Sequence, residues 1–365
     1  MNRILLALGL SSFLLMACSP PKPATPQGAN EDGSGPLVNG RHLLVTSSFG
    51  DSRHTGIEAG FSRSTNGGIT WERFTASQMG LNWRSPTNVG VRGIYSFRKI
   101  IAVGSSGSGL ALSFNNGNSW DIVTEGEDGF GANTVNDMII TRTHMYVATN
   151  DGLSISSDQG RTWMTVLKKE FEWQHNKVVQ DISVLPDGTL YAATFGGVSI
   201  SRDNGLTWET FLRGQNGLVD DFTFLAIDSS EDYVIAGSNK GGVSVSSDRG
   251  LTWTSTGPLE NGFLADERVG AVAVGKQDLY AGTRAGLNIS SDGGQTWSSI
   301  PWGYPGFGER QDWITSIREV EGDIYIGTLN QGLFVSEDGG STWRCFDFTP
   351  EFPIRSIGGV YAFDN

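Results

Sequence analysis

The feature that most constrains the fold of this sequence is a short motif that recurs seven times. The motif has the form S-x-D-x-G-x-T-W, and its first two copies carry Asn in place of Asp. Successive copies lie 43 to 49 residues apart in a chain of 365 residues. A nearly constant period of this length is typical of architectures in which each copy is one structural unit. The tryptophans of the motif are Trp71, Trp120, Trp163, Trp208, Trp253, Trp297 and Trp343.

Each repeat has the pattern of four short strands joined by turns. In the third repeat, apolar runs at 138–141 and 145–149 precede an Asn-Asp-Gly turn, an alternating run at 153–156 and a returning run at 162–166. Short strands repeated at this period indicate the blades of a β-propeller. The chain has 50 Gly, and the turns of such blades explain the excess, because they require positive φ angles.

The first repeat lacks an inner strand of its own, and the end of the chain offers one. Residues 354–360 align with 314–317, the expected inner strand of the seventh repeat. Closing the ring in this way hides sheet edges that would otherwise stay exposed. The sequence therefore predicts an all-β fold: a single seven-bladed β-propeller over 40–365, with four-stranded antiparallel blades. The C-terminal strand is expected to join the N-terminal blade.

The recurring motif resembles the Asp-box, or BNR repeat, of sialidases, xyloglucan-degrading hydrolases, sortilin-type receptors and photosystem II assembly factors. The resemblance covers 61–346 and implies that the boxes lie on the outer rim, on the face opposite the ligand face. A carboxylate in such a turn accepts backbone N–H bonds, so we interpret the third position as structural rather than metal-binding or catalytic. The residues there are Asn66, Asn115, Asp158, Asp203, Asp248, Asp292 and Asp338.

The N-terminus has the pattern of an export signal. Residues 1–17 place Arg3 before a short apolar run, and the run ends in Leu-Met-Ala followed by Cys18. This ending resembles the bacterial lipobox, which implies a lipidated Cys18 and a lipid-anchored protein of the cell envelope. Ser19 after the cysteine implies the outer membrane, with the domain facing the periplasm or the surface. The alternative is an ordinary signal peptide or a membrane anchor.

The composition and the cysteine count restrict the kinds of partner and site that the chain is expected to have. Residues 18–39 are rich in Pro, Gly and Ser and are expected to form a flexible tether. The net charge of −13 argues against general nucleic-acid binding, which requires a basic face. Two cysteines provide neither a disulfide framework nor a Cys-based zinc site, and Cys345 is expected to be a free thiol. We expect no metal, no cofactor, a monomer, and membrane attachment only through the lipid.

The long interblade loops carry aromatic residues beside carboxylates. Such surfaces suit sugars, peptides or cationic groups. The alternative is that the aromatic side chains cap the blade cores and the acids are simply solvated. The aromatic binding candidates are Trp83, Trp173, Trp302 and Tyr304, and the same loops hold Phe130, Phe263 and Phe307.

A second set of candidates comes from aligning the inner strands, which line the central channel of a propeller. The alignment places Arg355, Arg92, Asp137 and Asp181 in neighbouring blades near one mouth of the channel. We interpret them as a polar sector in which the two arginines contact an anion or carboxylate. The alternative is a water-filled channel that needs some balance of charge.

Two functions from different classes remain. The first is a non-catalytic envelope scaffold that binds a protein or polysaccharide partner through the interblade loops. The alternative is a glycoside hydrolase or sialidase-like enzyme that uses loop carboxylates, with Asp220 and Asp221 as candidates. Sialidases carry an early F/Y-R-I-P motif, and this sequence lacks it. We therefore favour the scaffold.

Overall fold

The computed structural model describes residues 41–47, 58–81, 90–167, 177–263, 266–308, 310–346 and 356–363. The expected signal peptide and tether lie outside this part of the chain. Several candidate residues also lie outside it, and their roles stay predictions: Cys18, Trp83, Trp173 and Arg355.

The described residues form seven antiparallel sheets of four strands each. The strands of the first four sheets, in chain order, are β1 (His42–Ser47), β2 (Gly60–Ser64), β3 (Glu72–Thr75), β4 (Val91–Phe97), β5 (Ile100–Ser105), β6 (Leu110–Ser113), β7 (Asp121–Val123), β8 (Val135–Ile140), β9 (Met145–Thr149), β10 (Gly152–Ser156), β11 (Met164–Val166), β12 (Val179–Val184), β13 (Leu190–Thr194), β14 (Gly197–Ser201) and β15 (Glu209–Leu212).

The remaining strands belong to blades five to seven, except the last, which completes blade one. They are β16 (Phe224–Ser229), β17 (Val234–Ser238), β18 (Val243–Ser246), β19 (Thr254–Thr256), β20 (Val269–Val274), β21 (Leu279–Thr283), β22 (Gly286–Ser290), β23 (Ser298–Pro301), β24 (Ile314–Val320), β25 (Asp323–Thr328), β26 (Leu333–Ser336), β27 (Arg344–Phe346) and β28 (Ile357–Phe363). Two single 3₁₀ turns lie in interblade loops, at Glu127–Gly129 and Gln215–Gly217.

The predicted seven-bladed β-propeller is confirmed, including its closure. The C-terminal strand β28 pairs antiparallel with β1 and completes the first blade. The inner strands of neighbouring blades contact one another around the ring, and β28 contacts β4 to close it. Pairing the last strand with the first leaves neither as an open sheet edge on that side.

The register of the closing strand differs from the predicted one by three residues. A β-carbon on Gly327 would lie 2.5 Å from Cγ2 of Ile357, just as one on Gly282 would lie 2.4 Å from Cγ2 of Ile314. Ile357 is therefore the counterpart of Ile314, and Gly358 rather than Arg355 takes the place equivalent to Arg92. This register does not support the alignment that placed Arg355 in the channel sector, and because Arg355 itself lies outside the described residues, its role stays a prediction.

The strand order places the connections on two opposite faces of the disc. Turns between the first and second strands and between the third and fourth strands share one face, which we call the box face because the recurring motif lies there. Turns between the second and third strands share the other face with the interblade loops, and we call it the loop face. The inner strands surround a central channel of about 670 Å³.

The hydrophobic cores lie between adjacent blades. In the core between blades six and seven, for example, Ala271, Leu287 and Phe307 pack with Phe334 and Trp343. Burying one such large side chain contributes about 1.5–3 kcal/mol, so each blade is stabilised mainly by its neighbours. Among the described residues, no helix is long and apolar enough to cross a membrane.

One expectation about the cysteines is corrected. The expected free thiol at Cys345, on the outer strand β27, is not found; the side chain is half-buried, with its Sγ 3.6 Å from the carbonyl oxygen of Gln331. The chain has one other cysteine, Cys18, which lies outside the described residues.

Candidate functional site

The Asp-box carboxylates are occupied by hydrogen bonds within their own turns. In the fifth box, Asp248 Oδ1 accepts bonds from Ser246 Oγ at 2.7 Å and from the backbone N–H of Thr252 at 2.9 Å. The hydroxyl of Thr252 donates to Oδ2. Ser246 Oγ also accepts the backbone N–H of Gly250 at 2.8 Å. Carboxylates bonded in this way have little capacity left for a metal or a substrate.

The same hydrogen bonds explain the acidity of these groups. Bonds to an ionised carboxylate favour the ionised form. The hydroxyl and backbone N–H of Thr162 hold the pKa of Asp158 at about 2, and Thr207 does the same for Asp203.

The two boxes with Asn keep the turn and reverse one bond. Asn66 Oδ1 accepts the backbone N–H of Thr70 at 2.9 Å, as an Asp does. Its Nδ2 donates to the Thr70 hydroxyl, whereas in the Asp boxes the hydroxyl donates to the carboxylate. Asn115 donates to Ser119 Oγ at 2.8 Å in the same way. The amide thus supplies the acceptor that the turn needs without a charge.

Three aromatic residues of the interblade loops are buried. Phe130 packs edge-on against Trp163 at 5.1 Å between ring centroids, and Phe263 packs against Trp297 at 5.3 Å. Phe307 is fully buried. These rings cap the spaces between blades, so the alternative interpretation applies to them and they are not available to a ligand.

Trp302 and Tyr304 differ in their exposure. Trp302 stacks on Phe307 with ring centroids 4.6 Å apart, and its Nε1 donates to the carbonyl of Arg284 at 2.7 Å. It is therefore mostly committed to the loop structure. Tyr304 is 39% exposed on the loop face. Of these two candidates, only Tyr304 presents much of its ring to solvent.

The catalytic candidates Asp220 and Asp221 do not form a pair. Asp221 is buried, and its Oδ2 accepts the backbone N–H of Lys240 at 2.6 Å, so it fixes the neighbouring turn. Asp220 is exposed, and its Oδ1 lies 3.6 Å from Nε of Arg213. Two-carboxylate hydrolysis needs both groups facing one substrate, and here the Asp221 carboxylate is bonded to the backbone N–H of Lys240.

The channel candidates of blades two to four lie on the channel wall, and their polar atoms connect neighbouring strands. Arg92 donates from Nε to Ser106 Oγ at 3.2 Å and from Nη1 to Asn136 Oδ1 at 3.0 Å. Asp137 Oδ2 accepts the N–H of Ile182 in the next blade at 3.3 Å. These contacts hold the inner strands of blades two, three and four together.

The series of interblade bonds continues to blade six. Asp181 Oδ2 accepts the N–H of Ile227 at 2.8 Å. Asp228, which the sequence analysis did not select, accepts the N–H of Val274 at 2.9 Å. Each carboxyl thus connects its own inner strand to the next. Asp228 was missed because it lies two positions farther along its strand than the aligned pair.

Burial changes the titration of the first two carboxyls. It raises the pKa of Asp137 to about 6, against opposing hydrogen bonds from Asp181 and two backbone N–H groups. Burial and the charge of Asp137 raise the pKa of Asp181 well above its ordinary value. The two side chains hydrogen bond to each other, so the pair keeps a proton at a higher pH than isolated carboxyls do. Their arrangement therefore serves interblade bonding.

The loop face carries a group of residues that the sequence analysis did not bring together. We call Arg268, Arg284 and Trp313 the arginine cluster. The guanidinium carbon of Arg268 lies 4.6 Å from the centroid of a Trp313 ring, and that of Arg284 lies 5.8 Å from it. Arg268 and Trp313 also line the loop-face mouth of the channel. The three residues come from separate segments, so no local sequence motif marks them.

No arrangement of metal ligands is found in the part of the chain that the structure describes. Within it, no group of three or more His, Cys, Asp or Glu side chains is placed to hold a metal ion.

Comparisons with known proteins identify the fold and not a family. No family model matches the sequence, and no curated protein matches it. The extracellular domain of a one-component system from B. thetaiotaomicron is similar at a TM-score of 0.58 and 17% identity, over 77% of this chain and 37% of that one. YCF48, solved with D1 peptide, gives 0.57 and 17%, over 85% and 98%. An ancestral GH74 enzyme gives 0.54 and 18%, over 75% and 38%.

These similarities limit what can be transferred. The chain spans little more than a third of the B. thetaiotaomicron domain and of the GH74 enzyme, but nearly all of YCF48. The same propeller therefore occurs in an extracellular domain, a peptide-bound protein and an enzyme. The fold alone therefore does not indicate a function for this chain.

Proposed function

We propose that the protein is a non-catalytic scaffold of the bacterial cell envelope that binds a protein or glycan partner through its loop face. The observation that carries the proposal is that aromatic side chains on this face are exposed, whereas acidic side chains of the same face are buried and hydrogen bonded to the backbone. Phe222 is 56% exposed with the guanidinium of Arg213 3.6 Å from its ring centroid, and Tyr304 is 39% exposed. Exposed aromatic rings with arginines are typical of binding surfaces.

The buried acids of the same face support binding over hydrolysis. Asp312 accepts the backbone N–H of Asn330 at 2.7 Å and the Asn330 side-chain amide at 2.8 Å. Asp221 likewise accepts the backbone N–H of Lys240. Carboxylates engaged in this way fix turns and are poor candidates for proton transfer to a substrate.

Two assays on the protein without its signal peptide distinguish binding from hydrolysis. Partner retention is measured for the wild type, for a Phe222→Ala and Tyr304→Ala double variant, and for Leu206→Ala as a control. Leu206 is 70% exposed within an Asp box, so its loss removes apolar surface from the opposite face. We expect the double variant to lose the partner and the control to keep it.

The hydrolase alternative is tested on a panel of glycans. Turnover by the wild type that disappears in Asp220→Asn would overturn the scaffold proposal. The GH74 neighbour makes this the appropriate enzyme class to test.

The proposed location rests on the N-terminal sequence and on the extracellular origin of a structural neighbour. Lipidation of Cys18 and a disulfide to Cys345 require the same sulfur atom, so one molecule has only one of them. The mass of the mature chain distinguishes the two states. The lipid-anchor proposal requires lipid on Cys18 and a Cys345 that is not linked to it, and a Cys18–Cys345 disulfide in the exported protein would refute it.

A further inference from the structure

We propose that the arginine cluster binds the carboxylates of an acidic polypeptide segment. The inference rests on the proposed function and names the chemistry of the partner. Arg268 and Arg284 are exposed, and both lie over Trp313. Neither side chain makes a hydrogen bond or ion pair with any residue that the structure describes. Two cations are thus held together with their hydrogen-bonding edges open.

The acidity of the chain makes two unpaired arginines informative. The net charge is −13, and other arginines have carboxylate partners: Arg41 pairs with Asp323 and Arg249 with Asp187. Asp266 is close to Arg268 in sequence, but its Oδ1 accepts the backbone N–H of that arginine at 3.0 Å. The positive charge of the cluster therefore remains available to a ligand.

The backbone that carries the arginine cluster is fixed by hydrogen bonds. Asp312 Oδ1 accepts the N–H of Trp313 at 2.9 Å, and the carbonyl of Trp313 accepts the N–H of Leu329 at 3.0 Å. Trp302 Nε1 donates to the carbonyl of Arg284. The attraction between each guanidinium and the indole ring also favours these positions of the two cations. A preorganised pair of cations loses less entropy when it binds an anion.

The geometry favours carboxylates of a polypeptide over a glycan. A guanidinium offers two parallel N–H donors that match the two oxygens of a carboxylate. A sugar ring would need an open aromatic face for stacking, and guanidinium groups lie over Trp313. The two guanidinium groups beside Trp313 therefore offer two such forks to the carboxylates of one segment.

The probe for this proposal is a fluorescein-labelled peptide of ten glutamates, measured by anisotropy with the whole mature chain. An Arg268→Gln and Arg284→Gln double variant is compared with Arg98→Gln. Arg98 is exposed in the turn between β4 and β5 on the box face, with its guanidinium 5.3 Å from the Phe97 ring centroid. We expect the double variant to weaken binding by at least about tenfold, equivalent to about 1.4 kcal/mol, and Arg98→Gln to have no effect.

Two further measurements sharpen the test. An Arg268→Lys and Arg284→Lys variant keeps both charges but loses the planar forks, so its affinity is expected to lie between the other two. Raising the salt concentration is expected to weaken wild-type binding, since exposed charges are screened. Thermal unfolding of each variant shows whether its fold is intact.

Several outcomes would overturn the inference. The first two are binding by the double variant as tight as that of the wild type, and a loss in Arg98→Gln as large as that in the double variant. The others are tighter binding of oligogalacturonate than of the peptide, and no wild-type binding at about 1 mM. A partner that still binds the loop face when both arginines are replaced would refute this inference and leave the scaffold proposal standing. Glycan turnover without partner retention would instead refute the scaffold proposal itself.

Discussion

At the scale of single residues, the serine that begins each box is as important to the turn as the carboxylate. Ser246 is 1% exposed, donates to Asp248 and accepts the N–H of Gly250. The sequence was sufficient to identify the box and the role of its acid as acceptor. The two hydrogen bonds made by the serine were not predicted, because they depend on its burial, and the sequence of one repeat does not show that burial.

Replacing Ser246 with Ala is expected to destabilise the protein by about 1–3 kcal/mol, because the N–H of Gly250 loses its acceptor in a buried place. Ser247→Ala is the matched control, since Ser247 is the exposed neighbour. Chemical denaturation measures both. Equal stability of the two variants would contradict the assigned bonds.

The carboxyl pair of the channel predicts a pH dependence. The folded pKa of Asp137 is about 6, above its ordinary value of 3.8. The folded state therefore holds a proton that the unfolded state releases, and the free energy of unfolding falls as pH rises from about 4 through 6. The groups facing Asp137 are Asp181 and Arg318.

Asp137→Asn is expected to weaken this dependence, because Asp181 stays buried with a raised pKa, and to stabilise the protein at pH 7.5 by on the order of 1 kcal/mol. The amide oxygen still accepts the N–H of Ile182, and the amide NH₂ group donates to Asp181 in place of the shared proton. Asp158→Asn is the contrasting variant: the pKa of Asp158 is about 2, so its stabilising effect is lost as pH falls from about 4 to 2. Denaturation at several pH values checks both, and a wild-type stability that rises between pH 4 and 6 in step with Asp137 would contradict the assignment.

At the scale of strands, close packing between blades sets the register. The second strands of four blades carry Gly where the next inner strand passes: Gly104, Gly237, Gly282 and Gly327. The sequence predicted these strands and their order. It left the register of β28 ambiguous, because Ile354 and Ile357 have the same three-residue spacing as Ile314 and Ile317. Packing of Ile357 on Gly327 resolves the register.

Gly282→Ala is expected to destabilise the protein by about 1–3 kcal/mol, since the new methyl group would lie 2.4 Å from Cγ2 of Ile314. Adding Ile314→Ala removes Cγ2 and relieves the crowding, so the double variant is expected to be more stable than the sum of the two single effects. Denaturation of the single and double variants measures the effect. A double variant less stable than the sum of the two single effects would argue against direct crowding.

At the scale of the whole molecule, the ring brings together residues that are far apart in sequence. Arg268, Arg284 and Trp313 meet on the loop face because blades six and seven are adjacent. The repeat was sufficient to predict the blade count and the two faces. It did not predict the cluster, because the distances between loop side chains depend on the closed ring.

Closure is also expected to govern stability. Deleting residues 356–365 removes β28 and exposes the edge of β1. We expect a marked fall in the midpoint of thermal unfolding and a broader transition, because blades one and seven lose a shared core. Scanning calorimetry compares the truncated and full chains, and an unchanged transition would contradict the role of the closing strand.

The most direct test of the central claim is site-specific photo-crosslinking in the native envelope. A photoreactive amino acid replaces Tyr304 on the loop face in one variant and Leu206 in an Asp box in the other; both positions are exposed. The account predicts one defined cross-linked partner from position 304 and none from position 206. A defined partner from position 206 alone would show that the box face binds and would contradict the account.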